Sequence, residues 1–252
     1  MKTSPLVKVV CTALFATVCA ARLSAEEVAE LEEIKLNPLS EIKFNLEIGW
    51  DSRYMSEGRD ELAGDGLAAT TLEASYKDLT LGLWYSASPD EDYREYQISA
   101  AYTIEWRDFE FGLSYTHLRF PSEKEHDNEL AFAIVFPELP GGIVAELETV
   151  WSFEADGAFI EASVSRDCEV ADWLTLTPWV GLGWNEGFVD DGHKGANHVA
   201  LGIEAALPVK DDTALVFRCH YSRAIDADAE RYPEDESLKN RFTWGLALQA
   251  AF

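Results

Sequence analysis

From Glu41 to the C-terminus, apolar residues recur at every second position, and this period restricts the chain to strands rather than helices. In the last segment Phe242, Trp244, Leu246, Leu248, Ala250 and Phe252 form one row, against Thr243, Gly245, Ala247, Gln249 and Ala251. Successive strand side chains point to opposite faces, so one face is greasy and the other small or polar. The first segment repeats this, with Phe44, Leu46, Ile48 and Trp50 against Lys43, Asn45, Glu47 and Asp51. Ten further segments do the same, which makes twelve strands.

The polar rows decide what kind of sheet this is. They carry glutamate in strand after strand, which a soluble sandwich with an apolar core would not tolerate. Apolar rows that face lipid, with polar rows turned inward, fit a membrane barrel. The expected fold is therefore all-β, a 12-stranded antiparallel transmembrane up-and-down β-barrel. Link lengths alternate independently of the face pattern. Short links such as Lys77-Asp78 and Arg107-Asp108 fall at one end, and the long ones, including Asp51 to Gly66 and Arg223 to Asn240, at the other. Periplasmic turns are short and extracellular loops long, so both termini are expected in the periplasm of a Gram-negative-type bacterium. Pro178, which lacks an N–H donor, predicts a bulge or ladder break in the ninth strand.

The N-terminus reads as an export signal. Lys2 and Lys8 precede the uncharged stretch Val9 to Ala20, and Leu23-Ser24-Ala25 permits cleavage after Ala25. The expected organisation is residues 1–25 as signal peptide, 26–40 as a short periplasmic segment and 41–252 as barrel. Loss of Lys2, Lys8 and Arg22 takes the formal charge from -26 to about -29. Such a surface excludes nucleic acid as a partner, because phosphates need clustered Lys and Arg. Cys168 and Cys219, isolated in sequence, do not have the spacing of metal ligands.

The last strand resembles the C-terminal strand of bacterial outer-membrane barrels, an alternating segment closed by an aromatic residue. Trp244, Leu246, Leu248 and Phe252 carry that resemblance, which implies recognition by the barrel assembly machinery. A narrower resemblance rests on Asp51-Ser52-Arg53-Tyr54-Met55-Ser56-Glu57-Gly58 and Asp92-Tyr93-Arg94-Glu95-Tyr96. These segments are similar to the Ser-Arg/Asp-Tyr…Arg-Gly and Tyr-x-Glu segments of the TorF-like porin family. The chain departs at Glu57, where that family typically has Arg. The resemblance implies transport without naming a substrate.

The inward rows supply the candidate lumen residues: Glu47, Glu73, Glu95, Glu110, Glu129, Glu146, Glu148, Glu161 and Glu204, against Lys43, Arg218, His198 and His220. A water-filled lumen with this wall favours cations through its summed field. A small porin passing small solutes with a cation preference is the first functional reading. The alternative is a non-conducting structural or surface-binding barrel. In it Arg218 pairs with a facing glutamate and inward Trp84, Phe159 and Trp179 fill the interior. A lipid-hydrolysing enzyme comes third, since His117 has no evident serine and acid around it. No cofactor and no metal site is expected: His198 and His220 could approach each other but lack a third ligand. Acids at Asp60, Glu61 and Asp65, at Glu123, Glu125 and Asp127, at Asp190 and Asp191, and from Asp226 to Glu236 read as solvated loop surface beside lipopolysaccharide. Oligomeric state is left open.

Overall fold

The computed structural model describes residues 41–89, 92–210 and 212–252. The expected signal peptide and periplasmic segment, residues 1–25 and 26–40, lie outside them. Twelve strands form the barrel: β1 Lys43–Asp51, β2 Leu67–Tyr76, β3 Leu79–Ala87, β4 Arg94–Trp106, β5 Phe109–Phe120 and β6 Glu125–Leu139. The second half comprises β7 Ile143–Ser152, β8 Gly157–Arg166, β9 Leu174–Glu186, β10 Gly195–Lys210, β11 Thr213–Ala224 and β12 Arg241–Ala251. Cys168–Ala171 prolongs β8. Each strand pairs antiparallel with its sequence neighbours, and β1 pairs with β12 from Asn45↔Ala251 to Asp51↔Gly245, which closes the sheet. Closure leaves no free edge to be satisfied in hydrocarbon.

The face pattern is inverted relative to a soluble protein. Leu81, Ile98 and Leu201 on the outer rows are more than half exposed, whereas Ser86, Glu95, Asn185 and Asn197 on the inner face are fully buried. Trp50, Tyr85, Tyr115, Trp151, Trp184, Tyr221 and Phe242 are exposed toward the loop end, and Trp106, Trp173 and Phe252 toward the turn end. These are the two aromatic belts of a membrane barrel, rings that bridge hydrocarbon and water.

At the turn end the hairpins are tight. Tyr76 pairs with Leu79 and Trp106 with Phe109, with Lys77 and Arg107 at positive φ in the connections. Several strands run further toward the loop end than the alternation alone indicates. Glu125 and Asp127, expected in a loop, are ladder residues of β6 opposite Phe120 and Leu118. The physical reason is that polar side chains are as acceptable as apolar ones once a strand leaves the membrane.

The ladder break expected at Pro178 is present in the β8–β9 pairing. The β8–β9 ladder ends at Ser165↔Trp179 and resumes in the same register at Cys168↔Leu176, so the gap lies opposite Pro178, which has no N–H to offer. Register shifts of β9 sit elsewhere, one opposite Glu169 to Ala171 and one at Gly183/Trp184, where β10 carries Asn197 as an extra residue between Ala196 and His198. A bulge allows two consecutive side chains to share a face. Asn197 and His198 are accordingly both buried in the interior.

Candidate functional site

The β1–β2 link, residues 52–66, folds back across the loop end of the barrel. Met55–Ser56 and Arg59–Asp60 pair as a miniature hairpin. Its turn residues, Glu57 and Gly58, both have positive φ (45° and 74°), the pattern of a type I′ turn. Ser56 Oγ donates to the Glu57 carboxylate. Gly58 packs so closely on His198 that a Cβ there would lie 2.5 Å from the imidazole. Glycine therefore serves both the turn and the contact.

Arg59 anchors one end of this hairpin. Its side chain is buried, and Nη2 donates to Asp235 Oδ1 at 3.1 Å and Nη1 to Asn197 Oδ1 at 3.0 Å. Asn197 in turn donates to the Glu57 carbonyl. Asp235 also accepts from His193 Nδ1 at 2.8 Å and from the backbone N–H groups of His193 and Asp228. These donors hold the Asp235 carboxyl below its usual range despite burial. Asp60, equally buried, accepts from Arg53 at 2.7 Å and from Arg241 at 2.9 Å.

Tyr54 anchors the other end. Its hydroxyl donates to Glu95 Oε2 at 2.9 Å, and that carboxylate also accepts from Tyr93 Oη at 2.5 Å and Gln97 Nε2 at 2.8 Å. Burial and the Glu95 carboxylate raise the pKa of both phenols, so they remain donors. Tyr54 further packs on Trp84 and Tyr93, with ring centroids 6.4 and 5.6 Å apart. Glu95 belongs to β4 and Asn197 to β10, six places apart in a ring of twelve. The hairpin is therefore a crossbar tied to opposite walls.

Two cavities flank it. One, of about 430 Å3, is lined by Glu57, Glu61, Glu95, Glu123, Glu125, Asp127, Glu129 and Glu234 together with Tyr54, Tyr93, Phe120 and Phe188. The cation on its wall is Arg59, whose donors are already taken. The other, of about 280 Å3, is lined by Glu47, Asp51, Arg53, Trp84, Arg218 and His220. There the charges compensate. Arg218 donates to Glu47 at 3.0 Å and through two nitrogens to Asp51 at 2.9 and 3.0 Å.

The inward residues expected from the alternation fall into separate groups. Glu47 joins Arg218 and also accepts from Gln249, while Glu204 stands opposite Arg218 in the ladder. Glu148 and Glu161 face each other directly across β7–β8, and Glu146 is two positions along. Glu129 sits opposite Ser152 and Thr116. Glu73, with Glu47, lines a cavity at the turn end, Lys43 lies there opposite Ser75, and Glu110 lies opposite Glu105. The two histidines pack on different aromatic rings. His198 pairs with Ala224 and stacks on Phe159, whereas His220 pairs with Gly202 and packs on Trp179. Among the described residues no group of three His, Cys, Asp or Glu could hold a metal ion. His117 approaches Asn128 Oδ1 at 3.0 Å. Trp244, Leu246 and Leu248 face outward, and Phe252 stacks on Phe44 at the seam, 5.8 Å between centroids.

The reading of the loop acids as solvated surface needs correction at two positions. Asp60 and Asp235 are buried and paired, because arginines from distant segments reach them. Arg53, Arg59, Asn197, His193 and Tyr54 escaped the alternation argument, which is silent about links. The Glu57-Gly58 pair flanked by short polar runs was the available signal for a hairpin turn.

No family model and no curated protein matches the chain. Solved structures with the same fold do. A KdgM porin aligns with a TM-score of 0.57 at 7% identity, over 82% of this chain and 99% of that one. A NanC porin aligns at 0.54 and 7%, over 82% and 98%. An outer membrane channel from Pseudomonas putida F1 aligns at 0.52 and 11%, over 84% and 95%. At these identities the likeness is one of fold, that of outer-membrane porins and channels.

Proposed function

We propose that the chain is a small outer-membrane channel that passes small solutes and prefers cations. The observation that carries this is the acid-walled cavity beside the crossbar, where eight carboxylates surround a gap whose one lining cation is consumed. Carboxylates on the walls of a narrow aqueous path concentrate cations and repel anions to the extent that they ionise. The fold shared with porins and a channel supports the reading. In it, residues 1–25 direct export, both termini are periplasmic and the crossbar end is extracellular. The barrel assembly machinery receives the strand ending in Phe252, and lipid with lipopolysaccharide surrounds the outer rows.

The likeness to the TorF-like family gains a physical meaning here. Its two segments are the two halves of one contact, Tyr54 from the first meeting Tyr93 and Glu95 from the second. That contact supports the resemblance to the family as part of this proposal. Planar-bilayer recording on refolded protein tests the channel reading, with the reversal potential measured under a salt gradient. Discrete conductance steps with a cation-selective potential are expected, and their absence overturns the reading. A non-conducting barrel is the second reading, favoured by the buried anchors of the crossbar.

A further inference from the structure

The crossbar divides the mouth into two lobes of different charge, and the interior below continues the division. On the β6–β8 side stand Glu129, Glu148, Glu161 and Glu146, with Glu148 and Glu161 directly opposite each other. On the β1 and β11 side, Arg218 is shared by Glu47 and Asp51. The acidic lobe and the acidic wall lie on the same side of the barrel, since Glu129 belongs to both. An acidic track thus runs from the mouth along β6–β8, while on the facing wall Arg218 offsets part of the acid of Glu47 and Asp51.

We propose that the crossbar is the selectivity element of the channel, confining solutes to the acidic lobe and its track and closing the compensated lobe to them. This deepens the channel reading and rests on it. Two features of the hairpin fit the role. Its ties reach opposite walls, so it is held across the opening rather than along one side. Its own tip adds Glu57 to the acidic lobe, while Arg53 and Asp60 face Arg241 and the β12 side. The solute class this selects is compact cations, whose charge offsets the field of the track. Anions of equal size meet the same wall as a barrier.

The test compares four proteins in planar bilayers, each first shown to be a heat-modifiable barrel. They are the native chain, a form with residues 54–61 replaced by Gly-Ser-Gly, Glu57→Gln/Glu129→Gln, and Arg107→Gln, which removes one cation from a hairpin at the opposite end of the barrel. Loss of the crossbar is expected to raise conductance and to weaken cation preference roughly twofold or more, because the compensated lobe opens. The double glutamine variant is expected to weaken the preference without raising conductance, and Arg107→Gln to leave both unchanged. If the native chain conducts and the crossbar-less form has the same conductance and selectivity, the inference fails and the channel reading stands. An equal response to Arg107→Gln and to the double variant also defeats it. If the native chain is silent and the crossbar-less form conducts, the hairpin controls passage but the native channel reading fails. Silence in both removes both.

Discussion

Arg59 and Asp235 stand 176 positions apart in sequence and 3.1 Å apart across the mouth of the barrel, and both side chains are almost wholly buried. The barrel itself needs no such long reach except at its seam, because each strand pairs with the next. The clamp is a second layer of order, laid over the first. It ties the link after β1 to the link before β12, so the mouth is set only when both ends of the sheet have closed.

Replacing Arg59 by Met leaves a buried carboxylate that has lost its cation, which costs about 3 kcal/mol in sites of this kind. Residual donors from His193 and Asp228 soften the loss. Hydrogen exchange across residues 52–66 should rise sharply while the strands remain protected. The pair Arg59→Met/Asp235→Leu, which removes both charges, should recover much of that protection. Equal exchange in the single and double variants would show that the charges are not coupled.

The crossbar should loosen as pH rises. Burial, and to a lesser degree the Glu95 carboxylate, raise the Glu57 pKa above its ordinary 4.5, against the lowering influence of Ser56 and Arg59. The folded state therefore binds more protons than the unfolded one above that value, and stability falls with pH. The contribution is complete below about 4.5 and is lost as pH climbs through the raised value. Asp235, whose pKa is lowered, acts in the opposite sense but at more acidic pH. Exchange of the hairpin amides, corrected for intrinsic rates, should be slower at the acidic end of this window. Glu57→Gln should flatten the profile.

The barrel was legible because period-two alternation is a local property that survives without knowledge of partners. Phe44 to Trp50 and Phe242 to Phe252 show it as plainly as β5 or β10. The crossbar was not legible, because its residues carry no period and their partners lie far away. Ser-Arg-Tyr-Met-Ser-Glu-Gly-Arg-Asp reads as a polar loop until Glu95, Asn197 and Asp235 are placed around it. The bulge at Asn197 hid a further part. Strict alternation would turn either Asn197 or His198 outward, and one extra residue brings both inside. Glu47, Glu204 and Arg218 were found by the face pattern, but their division into a compensated wall and an acidic track needed the closed ring.

Arg218 is the next place where charge and stability meet. Substitution by Gln breaks its bonds to Glu47 and Asp51, and with about a third of the side chain exposed the cost is roughly 1 to 2 kcal/mol. Urea unfolding of the barrel should shift by that amount. Released from their cation, Glu47 and Asp51 should also attract cations to a wall whose acid was partly offset. The reversal potential should therefore move toward stronger cation preference, and a move toward anions would contradict the assignment.

Phe252 should matter for assembly more than for the finished barrel. Its ring is largely exposed and touches Phe44, yet its backbone bonds with Phe44 in both directions at the seam. Phe252→Ala retains those backbone bonds but removes the aromatic terminus. Insertion into the outer membrane of intact cells should drop, whereas refolding in detergent should change little. Phe44→Ala removes the same stacking without touching the terminus, and it should spare insertion.

The closest backbone approach near the mouth offers a remote handle on the crossbar. A Cβ added to Gly157 at the start of β8 would lie 2.0 Å from the carbonyl carbon and oxygen of Gly187, where rigid backbone cannot turn aside. Gly157→Ala must push the 187–194 link outward, at a cost of about 1 to 3 kcal/mol. That link carries His193, which donates to Asp235, which in turn holds Arg59. The strain is therefore passed to the crossbar without altering any residue of it. Exchange should increase at residues 187–194 and at 52–66 together, and conductance should become noisier. Gly112→Ala is the control, since its Cβ would meet only Ala133 at 3.5 Å, an ordinary contact. If Gly157→Ala loosens the 187–194 link while the hairpin stays protected, His193 is not a support of the Arg59–Asp235 clamp.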